Sequence, residues 1–115
     1  MLNSGLTEIG EIYYMKKPKL FQRIFKPKLD LNKLGNYKSF TNGLTIYEQL
    51  EKVDEEILEF QMEVALDSNE KQISEGLDVI TAMYNYLSML GLSGYEFNQH
   101  IQKLNNYKRS GKYGN

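Results

Sequence analysis

The sequence contains no cysteine, and His100 is its only histidine among 115 residues. The absence of cysteine excludes disulfide bonds, thiolate zinc sites and a cysteine nucleophile. One histidine also disfavours zinc sites and the di-iron sites that take a histidine from each of two helices. We interpret His100 as a surface or interface residue. A metal site in this chain would therefore depend on oxygen ligands, which hard divalent cations prefer.

Strong net charge and long apolar runs are also missing. The net charge is −1 at pH 7, so no bulk electrostatic attraction draws the chain to nucleic acid. No apolar run approaches the roughly 18 residues that a transmembrane helix needs. The N-terminal stretch MLNSGLTEIGEIYY lacks a basic segment followed by an apolar one, so we expect no secretory signal there. The sequence therefore predicts a cytoplasmic protein with neither a membrane nor a nucleic acid as its partner.

Both prolines lie in the first 43 residues. We interpret residues 1–43 as an irregular arm with short helices, for example around residues 20–25 and 31–40. The stretch 16–28 carries five lysines and one arginine. We interpret it as a solvated basic arm that packs its apolar residues on its own domain or on a partner subunit. A wall for an anionic ligand and a nucleic-acid contact are the alternatives.

Residues 44–115 are predicted to form a helical domain of three helices, so the fold class is all-α. Thr45 and Glu48 fit a capping box that begins the first helix, and the apolar residues that follow recur in steps of four and three. A second helix is expected from about residue 69 to 90, before Gly91. A third begins with a capping box at Ser93 and runs to about residue 109.

Several acids lie close to the apolar faces of the first two helices. Glu56 and Glu59 lie beside the stripe of the first helix. The second helix is apolar over most of its circumference, and Glu75, Asp78 and Asn85 share its remaining strip. Partly buried carboxylates lose hydration and repel one another. Protonation, a paired lysine or arginine, or a divalent cation would relieve this, and Mg²⁺ or Mn²⁺ suits a site made of carboxylates.

The acids also fall in a pattern known from a protein family. Glu55-Glu56-Ile-Leu-Glu59 is followed, after fifteen residues, by Glu75-Gly-Leu-Asp78. This pattern resembles the EExxE…ExxD motif of the all-α nucleoside triphosphate pyrophosphohydrolases, which include the MazG-like proteins and the dimeric dUTPases. The resemblance covers roughly residues 44–110.

Two further residues agree with the same family. Lys52 precedes the first motif at a position where MazG-like proteins often have lysine, and Asn85 follows Asp78 by seven residues, as in the family's D-x6-N run. The resemblance implies that both contact the substrate. It also implies a helical bundle of the MazG-like type.

The resemblance implies an activity and roles for the acids. Family members cleave nucleoside triphosphates between the α- and β-phosphates, releasing the monophosphate and pyrophosphate, with Mg²⁺ as cofactor. Glu56, Glu59, Glu75 and Asp78 would be the metal ligands. Glu55 and Glu56 are the candidate catalytic acids: Glu55 would support the ligands or bind another metal. One carboxylate would position or deprotonate the attacking water.

The C-terminal segment offers positive charge for the phosphates. Lys103, Lys108 and Arg109 could reach triphosphate oxygens, and Tyr113 matches an aromatic residue that often follows in MazG-like proteins. Alternatively, these cations only complement the helix dipole ahead of a frayed tail.

The helices also bear on assembly and on an alternative function. Three helices cannot cover such apolar faces alone, so we expect a homodimer or homotetramer that completes the core. Besides the enzyme, a non-catalytic helical interaction module, with the acids on a solvated face and the basic arm contacting a partner, remains as an alternative.

Overall fold

A computed structural model describes residues 26–66 and 68–112 of the chain. The chain divides into two units, residues 1–31 and 32–115. The helix expected around residues 20–25 and most of the basic stretch 16–28 lie outside the described residues. No helix in the described ranges has the length and apolar character needed to cross a bilayer.

The described residues form helices and no strand, which confirms the all-α class. A 3₁₀ segment, η1, spans Leu31–Thr41 with a kink at Tyr37, and three α-helices follow. They are α1 (Ile46–Leu66), α2 (Asn69–Met89) and α3 (Gly94–Ser110). The short helix expected around residues 31–40 is therefore present in the tighter 3₁₀ form.

Both capping boxes that the sequence predicts are present. The backbone N–H of Thr45 donates to Glu48 Oε1 at 2.8 Å, and the Glu48 N–H donates to Thr45 Oγ1 at 3.1 Å. Ser93 and Glu96 make the corresponding box at the start of α3. These bonds satisfy backbone donors that have no partner inside the helix, and they fix where α1 and α3 begin.

Glycine ends α2 in the way the sequence predicts. The φ angle of Gly91 is 98°, in the region that side chains rarely adopt. The N–H of Gly91 donates to the Ser88 carbonyl oxygen, and that of Leu92 donates to the Leu87 carbonyl oxygen. The helix therefore stops at this point because its last carbonyls find partners in the turn.

The core is a narrow seam between α1 and α2, which pack against each other. Val53 and Ala82 are its buried apolar residues. Gly76 lets the Phe60 ring approach closely, since a Cβ there would lie 3.4 Å from Phe60 Cε1. Small residues on α2 therefore allow the two helices to approach closely.

Buried polar side chains share this seam. Gln49, Glu56 and Asn85 are all buried. Gln49 Nε2 donates to the carbonyl oxygen of Ala82 at 3.0 Å, and Asn85 Nδ2 donates to that of Tyr37 at 3.3 Å. The first bond joins α1 to α2, and the second joins α2 to η1.

The opposite face of α2 stays exposed in the described structure. Its large apolar side chains recur at helical spacing. They are Ile73, Leu77, Ile80 and Leu87, and we call them the α2 stripe.

Gly91, in the turn after α2, should matter more for stability than Gly94 at the start of α3. Gly91→Ala should lower the free energy of unfolding by roughly 1–2 kcal/mol, because an L-residue is strained at positive φ. Gly94→Ala, the matched control at the first position of α3, should leave it unchanged or raise it by up to about 1 kcal/mol. An added Cβ meets no atom within 4 Å at either site. Urea denaturation followed by circular dichroism measures both, and equal stabilities would contradict the assignment.

Candidate metal centre

Three carboxylates from the two packed helices lie together. Glu56 of α1 and Glu75 and Asp78 of α2 each offer an oxygen within 4.8 Å of the others. Glu56 is buried, Glu75 is half-buried and Asp78 is exposed. We call these residues the acid triad, and they are three of the four metal ligands predicted from the sequence.

The spacing of the triad is compatible with a small divalent cation. Two oxygens on one Mg²⁺, at about 2.1 Å each, lie about 3.0 Å apart when adjacent and about 4.2 Å apart when opposite. Shifts of roughly an ångström in each carboxylate group would bring oxygens that lie within 4.8 Å of one another to those distances. The donor set is entirely carboxylate oxygen, which fits Mg²⁺ and Mn²⁺ and does not favour zinc.

Glu75 carries the electrostatic cost of the arrangement. Its loss of solvent raises its pKa above the ordinary value of 4.5, and the charges of Asp78, Glu59, Glu56 and Glu63 raise it further. Its Oε2 is buried and has no hydrogen-bond partner within the described ranges. A cation bound by this oxygen would offset the repulsion between the carboxylates and would give Oε2 a partner.

A lysine compensates part of the negative charge. Lys52 Nζ lies 3.4 Å from Glu56 Oε1, one turn away on α1. The lysine side chain is 52% exposed, so solvent screens the pair and its contribution to stability is small. Lys52 therefore partly neutralises Glu56.

Glu59 and Glu63 extend the acids along α1. Glu59 is exposed and is not among the three grouped carboxylates, although its charge acts on Glu75. Its predicted role as a ligand stays a prediction. Glu63 was not among the predicted ligands, yet its Oε2 is buried and lacks a partner in the described structure. Its spacing of seven from Glu56 places it on the same helix face and was the signal available in the sequence.

Glu55 lies on another surface of α1. It lines a shallow depression with Glu48, Glu51, Asp54 and Leu58. This surface does not include the triad. The catalytic role predicted for Glu55 also stays a prediction.

A cleft of about 330 Å³ opens beside the triad. Glu56 and Asp78 line it together with Lys52 and Asn85. The structure thus brings two of the predicted substrate residues, Lys52 and Asn85, to the same cleft as two of the predicted ligands. The remaining lining residues, which the sequence analysis did not single out, are Phe40, Leu44, Gln49, Thr81 and Ala82.

The predicted phosphate-binding cations are on α3 and its end. Lys103, Lys108 and Arg109 are exposed and do not line this cleft. Lys103 Nζ lies 5.8 Å from the centre of the Tyr107 ring, and Arg109 donates to Asn106 Oδ1. Tyr113 lies outside the described residues. The structure does not bring these groups to the triad within one chain.

None of the known family models matches the chain, and comparison with curated proteins and with solved structures found no significant relative.

The raised pKa of Glu75 predicts a pH-dependent cost of the triad without metal. A carboxyl whose pKa is higher in the folded than in the unfolded state favours folding below about 4.5, and this contribution disappears as the pH rises through the folded value. Glu75→Gln should therefore stabilise the metal-free protein relative to wild type, increasingly so from about pH 4 to about pH 7.

The measurement is urea unfolding in the presence of a chelator. Glu51→Gln is the matched control, because it removes one charge on the exposed surface shared with Glu55. A gain from Glu75→Gln that is the same at both pH values would show that the pKa of Glu75 is not raised in the folded protein.

Proposed function

We propose that this chain is a Mg²⁺-dependent nucleoside triphosphate pyrophosphohydrolase. The observation that carries the proposal is the acid triad beside a cleft that Lys52 and Asn85 also line. These five residues occupy the positions that the EExxE…ExxD motif and its neighbouring lysine and asparagine assign to metal and substrate.

Glu56, Glu75 and Asp78 would hold the cation, Mg²⁺ or alternatively Mn²⁺, and Glu59 would complete the set by a change of rotamer. When bound, the cation neutralises charge on the phosphate oxygens and lowers the pKa of a bound water. The chain's own contribution is positional. Glu56 contacts Lys52 and lies close to Glu75 and Asp78, so it can orient a water or accept its proton while the lysine attracts a phosphate oxygen.

The cleavage site, between the α- and β-phosphates, is part of the proposal through the family resemblance. The products would be a nucleoside monophosphate, with a deoxynucleoside preferred, and pyrophosphate. Lys103, Lys108 and Arg109 would bind phosphates from the α3 segment, reaching the cleft from a second subunit. The proposed enzyme would act in the cytoplasm.

A second subunit follows from the exposed apolar surface. The side chains of the α2 stripe are all exposed, with Ile73 at 65%, and their spacings of four, three and seven place them on one face of the helix. We propose that this face packs on its equivalent in another copy, which would build a four-helix bundle from two α1–α2 pairs.

A non-catalytic interaction module is the second candidate. The observation in its favour is that Glu59 and Asp78 are exposed, as acids on a solvated helix face would be. Metal binding distinguishes the candidates, since a solvated acidic face has no reason to bind Mg²⁺ tightly.

Asp78→Asn should lower kcat by about 100-fold or more, because it removes one charge from the metal ligands and the metal supplies several kcal/mol of transition-state stabilisation. The assay incubates purified protein and Mg²⁺ with the common NTPs and dNTPs and separates the products by ion exchange. Asp54→Asn is the matched control, since it makes the same change on the exposed side of α1, and it should retain activity.

Each contrary result has a distinct meaning. Release of orthophosphate in place of pyrophosphate would refute the cleavage site. Equal activity of Asp78→Asn and wild type would assign the turnover to a contaminant. No turnover of any nucleotide, together with no Mg²⁺ binding, would favour the interaction module.

The α2 stripe predicts the state of assembly. Wild-type protein should show at least twice the 13.4 kDa mass of the chain in light scattering. Leu77→Glu, in the centre of the stripe, should shift the protein to monomers, because burying an unpaired charge in an apolar interface is costly. Leu58→Glu makes the same change at an exposed position of α1 and should leave the dimer intact. A monomeric wild type at micromolar concentration would overturn the proposed assembly.

A further inference from the structure

Asn85 has an unused hydrogen-bond acceptor at the cleft. The residue is only 3% exposed, and its Nδ2 donates to the carbonyl oxygen of Tyr37. Its Oδ1 is buried and has no partner within the described residues. Buried amide oxygens are rarely left without a donor, because the lost water contact is not replaced. Because Asn85 lines the cleft, a bound molecule is in a position to supply the donor.

The cleft has two chemically different ends. Asp78 and Asn85 are seven residues apart on α2, so they lie on one face and roughly 10 Å apart along the helix axis. Asp78 lies close to Glu56, which pairs with Lys52. Asn85 is hydrogen-bonded to Tyr37, whose ring centre lies 5.5 Å from that of Phe40, and Phe40 and Leu44 also line the cleft. A ligand that fits both ends carries phosphates at one end and an aromatic or apolar group at the other.

The size of the cleft restricts that ligand. A volume of about 330 Å³ lies at the lower end of the range of about 300–1,000 Å³ for small-molecule pockets. A cleft of this size has room for one base, and Phe40 and Asn85 both line it. An aliphatic chain would leave Oδ1 unpaired, whereas a heterocycle with an N–H at its edge would not.

We propose that Asn85 determines base selectivity by accepting a hydrogen bond from an N–H group on the edge of the nucleotide base. This inference rests on the proposed function, since it takes the phosphates of the same nucleotide to lie at the acid triad. A base whose edge lacks that hydrogen leaves the acceptor buried and unpaired, and the cleft discriminates against it.

Asn85 also holds η1 through Tyr37, so loss of affinity in a variant could be purely structural. A comparison of paired ligands separates the two roles. Methylation of the base nitrogen removes its hydrogen and adds a methyl group. This change to the ligand is the same whether wild type or variant binds it. Only a direct hydrogen bond makes the effect of methylation depend on the residue at position 85.

The experiment measures binding by calorimetry with Mg²⁺ and the monophosphates dAMP, dCMP, dGMP, dTMP and dUMP, which lack the scissile bond. The tightest of them is then compared with its analogue in which every edge N–H is methylated. In wild type, methylation should weaken binding roughly 10- to 100-fold. In Asn85→Leu, which preserves approximate shape, methylation should cost less than about threefold.

Asn85→Asp provides a second variant, because it keeps the acceptor and removes the donor to Tyr37. It should retain the discrimination against the methylated base even if its thermal stability falls.

Equal effects of methylation in wild type and Asn85→Leu would overturn the assignment of Asn85. If that occurs while Asp78-dependent pyrophosphate release is intact, only this inference fails. Selective monophosphate binding without any triphosphate hydrolysis would overturn the proposed function and leave Asn85 as the selecting residue. Absence of binding by all five monophosphates would overturn the assignment of Asn85, and pyrophosphate release then decides the proposed function by itself.

Discussion

The repulsion among carboxylates in the seam between α1 and α2 is the constraint on which the rest of this structure depends. Packing through Ala82 and Gly76 brings the helices close, and the same closeness brings Glu56 within reach of the acids on α2. Desolvation and neighbouring charges raise the pKa of Glu75, and Lys52 neutralises only part of the excess. Apolar residues at these positions would avoid the repulsion between carboxylates. A locally unfavourable arrangement of this kind is expected at functional sites.

The polar groups of the seam form a continuous series from the triad to η1. Glu56 is followed toward the start of α1 by Gln49, which lies two turns away on the same face and is tied to the backbone of Ala82. Asn85 continues the series to the carbonyl oxygen of Tyr37. The hydrogen bonds that hold η1, α1 and α2 together therefore also form one wall of the cleft, so the geometry of the cleft depends on the same contacts as the fold.

The sequence allowed the helices and most of the site to be predicted, because these follow from local rules. Capping boxes at Thr45 and Ser93 and the glycine at position 91 depend on neighbouring residues, and the i, i+3 spacing of Glu75 and Asp78 determines their common face. Other features depend on tertiary packing. The side-chain rotamers of Glu59 and Glu63 determine which of the two turns toward Glu75. The buried amide of Gln49 depends on a hydrogen-bond acceptor from the other helix, the carbonyl oxygen of Ala82. The 3₁₀ form of η1 and the separation of Lys108 from the cleft likewise have no local signal.

Cation binding and the stability of the α1–α2 pair are linked in this arrangement. The apolar core is small, with Val53 and Ala82 as its buried members in the described structure, so the pair gains little from burial alone. A ligand that binds only the folded state stabilises it by about 2.7 kcal/mol at a concentration of 100 times its Kd. A cation shared by Glu56 and Asp78 would act as a cross-link between the helices, where repulsion otherwise separates them. A bound cation would then hold the walls of the cleft closer together, because those walls include residues of both helices that the cation joins.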